Sequence, residues 1–259
     1  MNDAPRYVRP VQFGAPPEGT YFTQTIATLD SSTWICTQVS AGGSGPSLHV
    51  HDYDQYYWVI YGEMTVRLGE VIQKAPAGSL VHIPAGLPHC NWNEGDVEEA
   101  HIEAFIPAAQ PGCPLGRKVG STRSSAPAGS VTRVDEQRFR QWSATLQIQN
   151  LASFDTGSNE AKVNYLRIHG HGQGPRPHIH DFDQLYFVLK GTMTADIGRH
   201  RHEISANSLV ILPAGIPHAN WNAHTEPEEH VAFLVPQPKP GAIIDYPVDF
   251  SWHERELTN

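Results

Sequence analysis

Hydrophobic positions along the chain come in short runs rich in β-branched and aromatic residues, each closed by Gly, Pro, Asn or Asp. That pattern predicts strands, because side chains alternate across a sheet with a period of two and such residues suit a pleated, half-buried surface. In the first half the runs fall at residues 20–29, 33–39, 56–60, 64–68, 80–83 and 100–106. They return in the second half at residues 162–168, 185–189, 193–197, 209–212 and 229–235. Each half is therefore expected to be a small antiparallel β-domain. Residues 135–142 (DEQRFRQW) are expected to form a short helix capped by Asp135.

The recurrence is an internal repeat. HVHDYDQYYWVIYGEMT at 49–65 matches HIHDFDQLYFVLKGTMT at 178–194, and AGSLVHIPAGLPHCNWN at 77–93 matches ANSLVILPAGIPHANWN at 206–222, all offset by 129 residues. An ungapped offset means connecting elements of equal length, so the two halves should superpose. The expected division is a first domain at 1–115, a linker at 116–135 and a second domain at 136–259. Pro107, Pro111, Pro114 and Pro127 and the polar stretch STRSSAPAGS are unsuited to burying a core. The tail from Pro236, rich in proline and charge, is expected to pack outside one domain or on a partner subunit.

Within the repeat, His49-x-His51-x3-Gln55 is followed by His89, and His178-x-His180-x3-Gln184 by His218. Two histidines one residue apart on a strand point to one face, and Gln55 and Tyr57 keep that parity if the strand continues. His89 then arrives from another strand through the turn Pro84-Ala-Gly-Leu-Pro88, and Gln184, Tyr186 and His218 follow the same logic. Three imidazoles and an amide oxygen suit one borderline divalent ion per half, such as Fe, Co, Ni, Mn or Zn. Such a neutral ligand set leaves the ion's charge uncompensated, which favours an anionic or enolisable small-molecule substrate. A lone histidine is more often a surface or hydrogen-bonded residue, but six at identical spacing in two halves point to metal ligation.

Composition narrows the alternatives. A formal charge of -9 argues against nucleic-acid binding, which needs a basic footprint. No apolar stretch is long enough to span a membrane and the amino terminus lacks a signal-peptide layout, so a cytoplasmic protein is the expectation. Cys36, Cys90 and Cys113 are odd in number and lack CxxC spacing, which indicates neither a disulfide framework nor a thiolate zinc site.

The motifs Gly43-x5-His49-x-His51-x3-Gln55-x6-Gly62 and Gly78-x5-Pro84-x-Gly86-x2-His89-x3-Asn93 resemble the two signatures of the cupin superfamily. Both halves carry them, so the chain resembles a bicupin, with Asn207 in place of one motif glycine in the second copy. The resemblance implies an all-β fold of two tandem jelly-roll barrels, each with a metal inside, and pairing as a homodimer. Gln55 and Gln184 depart from the glutamate usual in cupins. That weakens the analogy to oxalate decarboxylases and quercetinases, and resembles the His-His-Gln-His set of the bicupin isomerase of bacilysin biosynthesis and the neutral three-histidine sites of cupin dioxygenases.

Further candidates follow from the offset. His101 and His230 are equivalent and read as pocket acid/base groups or as buried, hydrogen-bonded histidines. Tyr57 and Tyr186 read as donors to a bound oxygen or as barrel filler. Glu103 corresponds to Ala232, which makes Glu103 the general-base candidate of the first half only. Arg176, in place of Ser47, is a candidate to grip a substrate carboxylate. The leading functional expectation is a non-heme Fe(II) dioxygenase cleaving a C–C bond of a phenolic or diketone substrate. A metal-dependent isomerase, decarboxylase or lyase stabilising an enediolate is the alternative, and a non-catalytic small-molecule or metal-binding bicupin is the third.

Overall fold

In the computed structural model, which describes residues 7–110, 112–249 and the backbone of Glu256–Leu257, the chain divides into two β-units. The expected tail lies only partly within these described residues. One unit comprises Gln12–Val134 with Phe154–Glu160; the other comprises residues 7–11, Asp135–Ser153 and the chain from Ala161 onward.

Each unit is a pair of sheets, as a jelly roll requires. In the first, one sheet orders its strands Ser130–Arg133, Ser79–Ile83, Asp54–Tyr61, Glu99–Ile106, Thr33–Val39 and Tyr21–Thr28. Its partner sheet orders Arg117–Lys118, His49–Val50, His89–Trp92, Glu63–Leu68 and Val71–Pro76. The second unit repeats both, with Ser208–Leu212, Asp183–Lys190, Glu228–Val235, Lys162–Ile168 and Leu146–Ala152 central to one sheet and Tyr246–Pro247, His178–Ile179, His218–Trp221, Thr192–Ile197 and His200–Ser205 in the other. The expected strands are present, most of them longer by a residue or two at their ends.

The two cores match in kind. Tyr57, Val59, Met64, Val66, Leu68, Val81 and Ile83 pack together in the first unit, and Tyr186, Val188, Met193, Ala195, Ile197, Val210 and Leu212 in the second. These are every second residue of their strands, so alternation places one row in the barrel and sends Trp58 and Phe187 to the opposite face, where both are buried.

Four expectations need correction. Segment 116–135 contributes two strands to the first unit: Arg117–Lys118 pairs with His49–Val50, and Ser130–Arg133 with Ser79–Ile83. The strand equivalent to Ser130–Arg133 in the second unit is Val8–Pro10, paired with Ser208–Leu212, so the chain start does not belong with the first unit. The helix expected over 135–142 is a single 3-10 turn, Glu136–Arg138, capped by Asp135 through Gln137 N at 2.9 Å and followed by the strand Arg140–Gln141. It buries no residue, so nothing rewards its extension. Lastly, the tail pairs through Tyr246–Pro247 with the strand that carries His178.

Candidate metal centres

The short strand His49–Val50 pairs with His89–Trp92 so that His49 lies directly opposite His89, and His178 lies opposite His218 in the same way. The chain bends at residues 51–53 and does not run on as one strand, yet His51 stays on the same side. The turn before His89 is built by repeated contacts. Ala85 N donates to Asp54 Oδ1 and Ala214 N to Asp183 Oδ1, both at 2.9 Å. Gly86 and Gly215 both sit at φ 78°, a conformation that favours glycine, and each donates its N–H to the carbonyl of the second histidine, His51 or His180, at 2.8 Å.

In both units the three histidines are buried, and their ring nitrogens lie within 4.8 Å of one another. Every ring is anchored at Nδ1 by a main-chain carbonyl. His49 donates to Ser47 O at 2.8 Å, His89 to Leu87 O at 2.8 Å and His51 to Leu115 O. In the second unit His178 donates to Arg176 O at 2.6 Å, His218 to Ile216 O at 3.0 Å and His180 to Ile244 O at 2.8 Å. With Nδ1 committed as donor, each neutral ring turns an Nε2 lone pair inward.

The donor set fits a cation. His49 Nε2 and His51 Nε2 face each other at 3.1 Å, and His178 Nε2 and His180 Nε2 at 3.2 Å, lone pair towards lone pair. Gln184 Oε1 stands 2.9 Å from His180 Nε2 and 3.2 Å from His218 Nε2, again acceptor to acceptor. His89 Nε2 is buried without a hydrogen-bond partner among the described residues. Burial lowers the pKa of His51 to about 4 and that of His218 to about 3, and pushes His49, His89 and His178 down as well. These imidazoles are thus held neutral, the form that binds a metal.

Around this shared centre the units diverge. In the first, Gln55 Nε2 donates to Glu103 Oε2 at 2.7 Å while Gln55 Oε1 accepts from Tyr57 Oη at 3.1 Å, which fixes the amide orientation. Glu103 Oε1 accepts from the Thr37 hydroxyl and lies 3.3 Å from His101 Nε2. His101 Nδ1 bonds to Glu99 at 2.9 Å, and the imidazole is 1% exposed. Burial works against a charge on His101, but the two carboxylates outweigh it and raise its pKa to about 10. Burial likewise opposes ionisation of Glu103, yet the His101 and Thr37 hydrogen bonds leave its pKa below the usual carboxylate range. His101 is therefore an imidazolium between two carboxylates.

In the second unit Glu228 holds His230 Nδ1 at 2.9 Å, but Ala232 replaces Glu103 and His230 Nε2 has no partner among the described residues. Tyr186 Oη donates to Gln184 Oε1 at 2.9 Å, as Tyr57 does to Gln55. Strand register extends the contrast. Thr37 pairs with Thr23 in the first unit, whereas the equivalent Leu166 pairs with Ile148 in the second. Leu166 packs on the core that includes Tyr186 and Ala232.

A cavity of about 460 Å³ opens onto the first centre, lined by His49, His51, Gln55, Tyr57, Glu103, Phe105, Thr23, Thr25, Thr37 and Lys118 among others. Arg176 brings its carbonyl to the second centre while its side chain is exposed. His171, in the loop His169-Gly170-His171 of the second unit, is exposed too. The cysteines Cys36, Cys90 and Cys113 are free and take no part in either centre. Sequence reasoning missed Glu99, Thr37, Asp245 and the carbonyls of Leu115 and Ile244. Leu115 and Ile244 obey the 129-residue offset, a weak signal because their backbone is what acts.

The Cupin domain family model matches residues 37–105 and again residues 164–233. The chain belongs to the cupin family. With a match in each half it is a bicupin, and both matches enclose the metal-site histidines. Solved structures with the same fold include a putative glyoxylate induced protein from Pseudomonas aeruginosa, at 15% identity and TM-score 0.66, covering 86% of this chain and 84% of that one. A cupin 2 conserved barrel domain protein from Leptotrichia buccalis is similar at 15% identity and TM-score 0.61, covering 85% and 91%. Oxalate decarboxylase from Bacillus subtilis, as a deletion mutant, is similar at 14% identity and TM-score 0.67, covering 86% and 75%. No curated protein matches the sequence. At such identities the likeness speaks for the fold alone.

Proposed function

We propose that the bicupin is a metal-dependent enzyme whose first barrel moves a proton on a small, anionic, enolisable substrate, as in an isomerase, decarboxylase or lyase, with Glu103 as the base. The observation that carries this reading is the Glu103 carboxylate in the cavity wall, 2.7 Å from the side chain of Gln55. A divalent ion held by His49, His51, Gln55 and His89 supplies Lewis-acid stabilisation of negative charge on a substrate oxygen.

The protein's own groups define the rest. Glu103 Oε1 is engaged by Thr37 and His101, whereas among the described residues Oε2 accepts only the Gln55 amide, which leaves a lone pair of Oε2 to take the proton. The His101 imidazolium, backed by Glu99, keeps the Glu103 charge in place. Lys118, at the cavity lining, draws in an anion, and Phe105 supplies an apolar wall.

Oxygen-dependent C–C cleavage is the second reading, favoured by ligand sets in which Gln55 and Gln184 are uncharged. The test is anaerobic turnover of a panel of 2-hydroxy and 2-oxo acids and of diketones by protein reconstituted with Fe(II), Mn(II), Co(II), Ni(II) or Zn(II). Product formed without oxygen, and lost in Glu103→Gln, supports the proton-transfer reading. Turnover that consumes oxygen and persists in Glu103→Gln overturns it in favour of the second.

A further inference from the structure

The internal repeat continues past the cupin motifs. Lys118 pairs with His49 and Pro247 with His178, so Leu115, Gly116, Arg117 and Lys118 correspond to Ile244, Asp245, Tyr246 and Pro247. The carbonyls of Leu115 and Ile244 play one role, each holding Nδ1 of the second histidine of its pair. The next residue differs between the barrels. Gly116 lies so close to the rings that a Cβ there would stand 2.8 Å from His49 Cδ2 and 2.9 Å from His51 Cε1. Asp245 instead places a carboxylate oxygen 3.8 Å from His178 Nε2 and 3.6 Å from His180 Nδ1.

His178 Nε2 is a ligand atom, so the Asp245 carboxylate borders the metal position. The side chain is 38% exposed, which puts it on the solvent side of the centre, and among the described residues it bridges to no lysine or arginine. Conditions at the first centre are opposite. No carboxylate occupies position 116, Lys118 lines the cavity, and the charge of Glu103 is met by His101, Gln55 and Thr37.

We propose that Asp245 sets the ligand charge of the second centre, excluding the small anions that the first centre accepts. A carboxylate a few ångströms from an entering anion repels it, and at a partly solvated site that repulsion weakens binding by about tenfold. The two centres of this chain therefore share a ligand set and differ in what they admit. The inference rests on both barrels holding a divalent ion, and the experiment reads that premise separately.

Cobalt(II) is loaded into His89→Ala protein, which keeps the second centre, and into His218→Ala protein, which keeps the first. Metal content is measured, and azide is then titrated against the visible cobalt spectrum. The expected result is about tenfold tighter azide binding by His218→Ala than by His89→Ala protein, with most of that gap closed when Asp245→Asn is added to His89→Ala. Asp245→Gly, which restores the residue of the first barrel, should act in the same direction, and Asp245→Glu should leave azide binding weak. Equal azide affinity in His89→Ala protein with and without Asp245→Asn, at equal cobalt content, overturns the proposal. His89→Ala protein that takes up no cobalt overturns it at the premise, whatever azide does at the first centre.

Discussion

The two barrels share an inner ring of three histidines and a glutamine, together with the bonds that hold it, and differ in the wall beyond. Both hold three histidines by carbonyl bonds to Nδ1, and both tie the motif glutamine to a tyrosine hydroxyl. Beyond that ring the first barrel has the polar wall Thr23, Thr37 and Glu103, and the second has Ile148, Leu166 and Ala232. A carboxylate stands beside each centre, but Glu103 comes from the sheet wall and Asp245 from the tail. Holding a metal constrains the ring, whereas the chemistry at that metal depends on the wall, and duplication left the wall free to change.

The largest test of this contrast removes one ring at a time. His89→Ala is expected to abolish turnover and His218→Ala to leave most of it, with each variant falling from about two bound ions per chain to about one. Steady-state assays beside metal analysis check this, and equal loss in both variants would make the barrels functionally alike. Next, Glu103→Gln keeps the shape of the wall but removes the proposed base, so kcat should fall by about 10²- to 10⁴-fold with metal content unchanged.

A smaller effect separates the buried histidines. His101→Leu leaves Glu99 and Glu103 buried without their shared cation and should cost about 3 to 5 kcal/mol, read as a drop in denaturation midpoint. His230→Leu strands only Glu228, and its cost should be lower; a larger cost than that of His101→Leu would contradict the pairing described above. The smallest effect should be common to both barrels. Tyr57→Phe and Tyr186→Phe each remove one hydrogen bond to the glutamine proposed as a ligand, worth about 1 kcal/mol, so metal affinity at the matching centre should weaken roughly fivefold in either case.

Much of the design was legible without coordinates. The two three-histidine groups and the main strands follow from spacing, since parity on a strand decides which side chains face one point. Glu103 against Ala232 was visible as a difference, but its bond to Gln55 and the support from Thr37 and His101 were not. Thr37 illustrates why. The strand that carries Thr23 aligns with that carrying Ile148 at a different offset from the rest of the repeat, so the wall can be compared only once strand register is known. The tail was misread because its apolar content is low and its role is played by the carbonyl of Ile244 and the single side chain of Asp245.

Sequence alone determined that this chain is a duplicated β-protein with a His-His-Gln-His set in each half, because strand periodicity and exact repeat spacing are local properties of the chain. Tertiary structure alone decided how the two sets differ. Glu103 and Asp245 reach their centres through sheet register and through a pairing far along the chain, and their influence comes from burial and from distances of a few ångströms that no local pattern encodes.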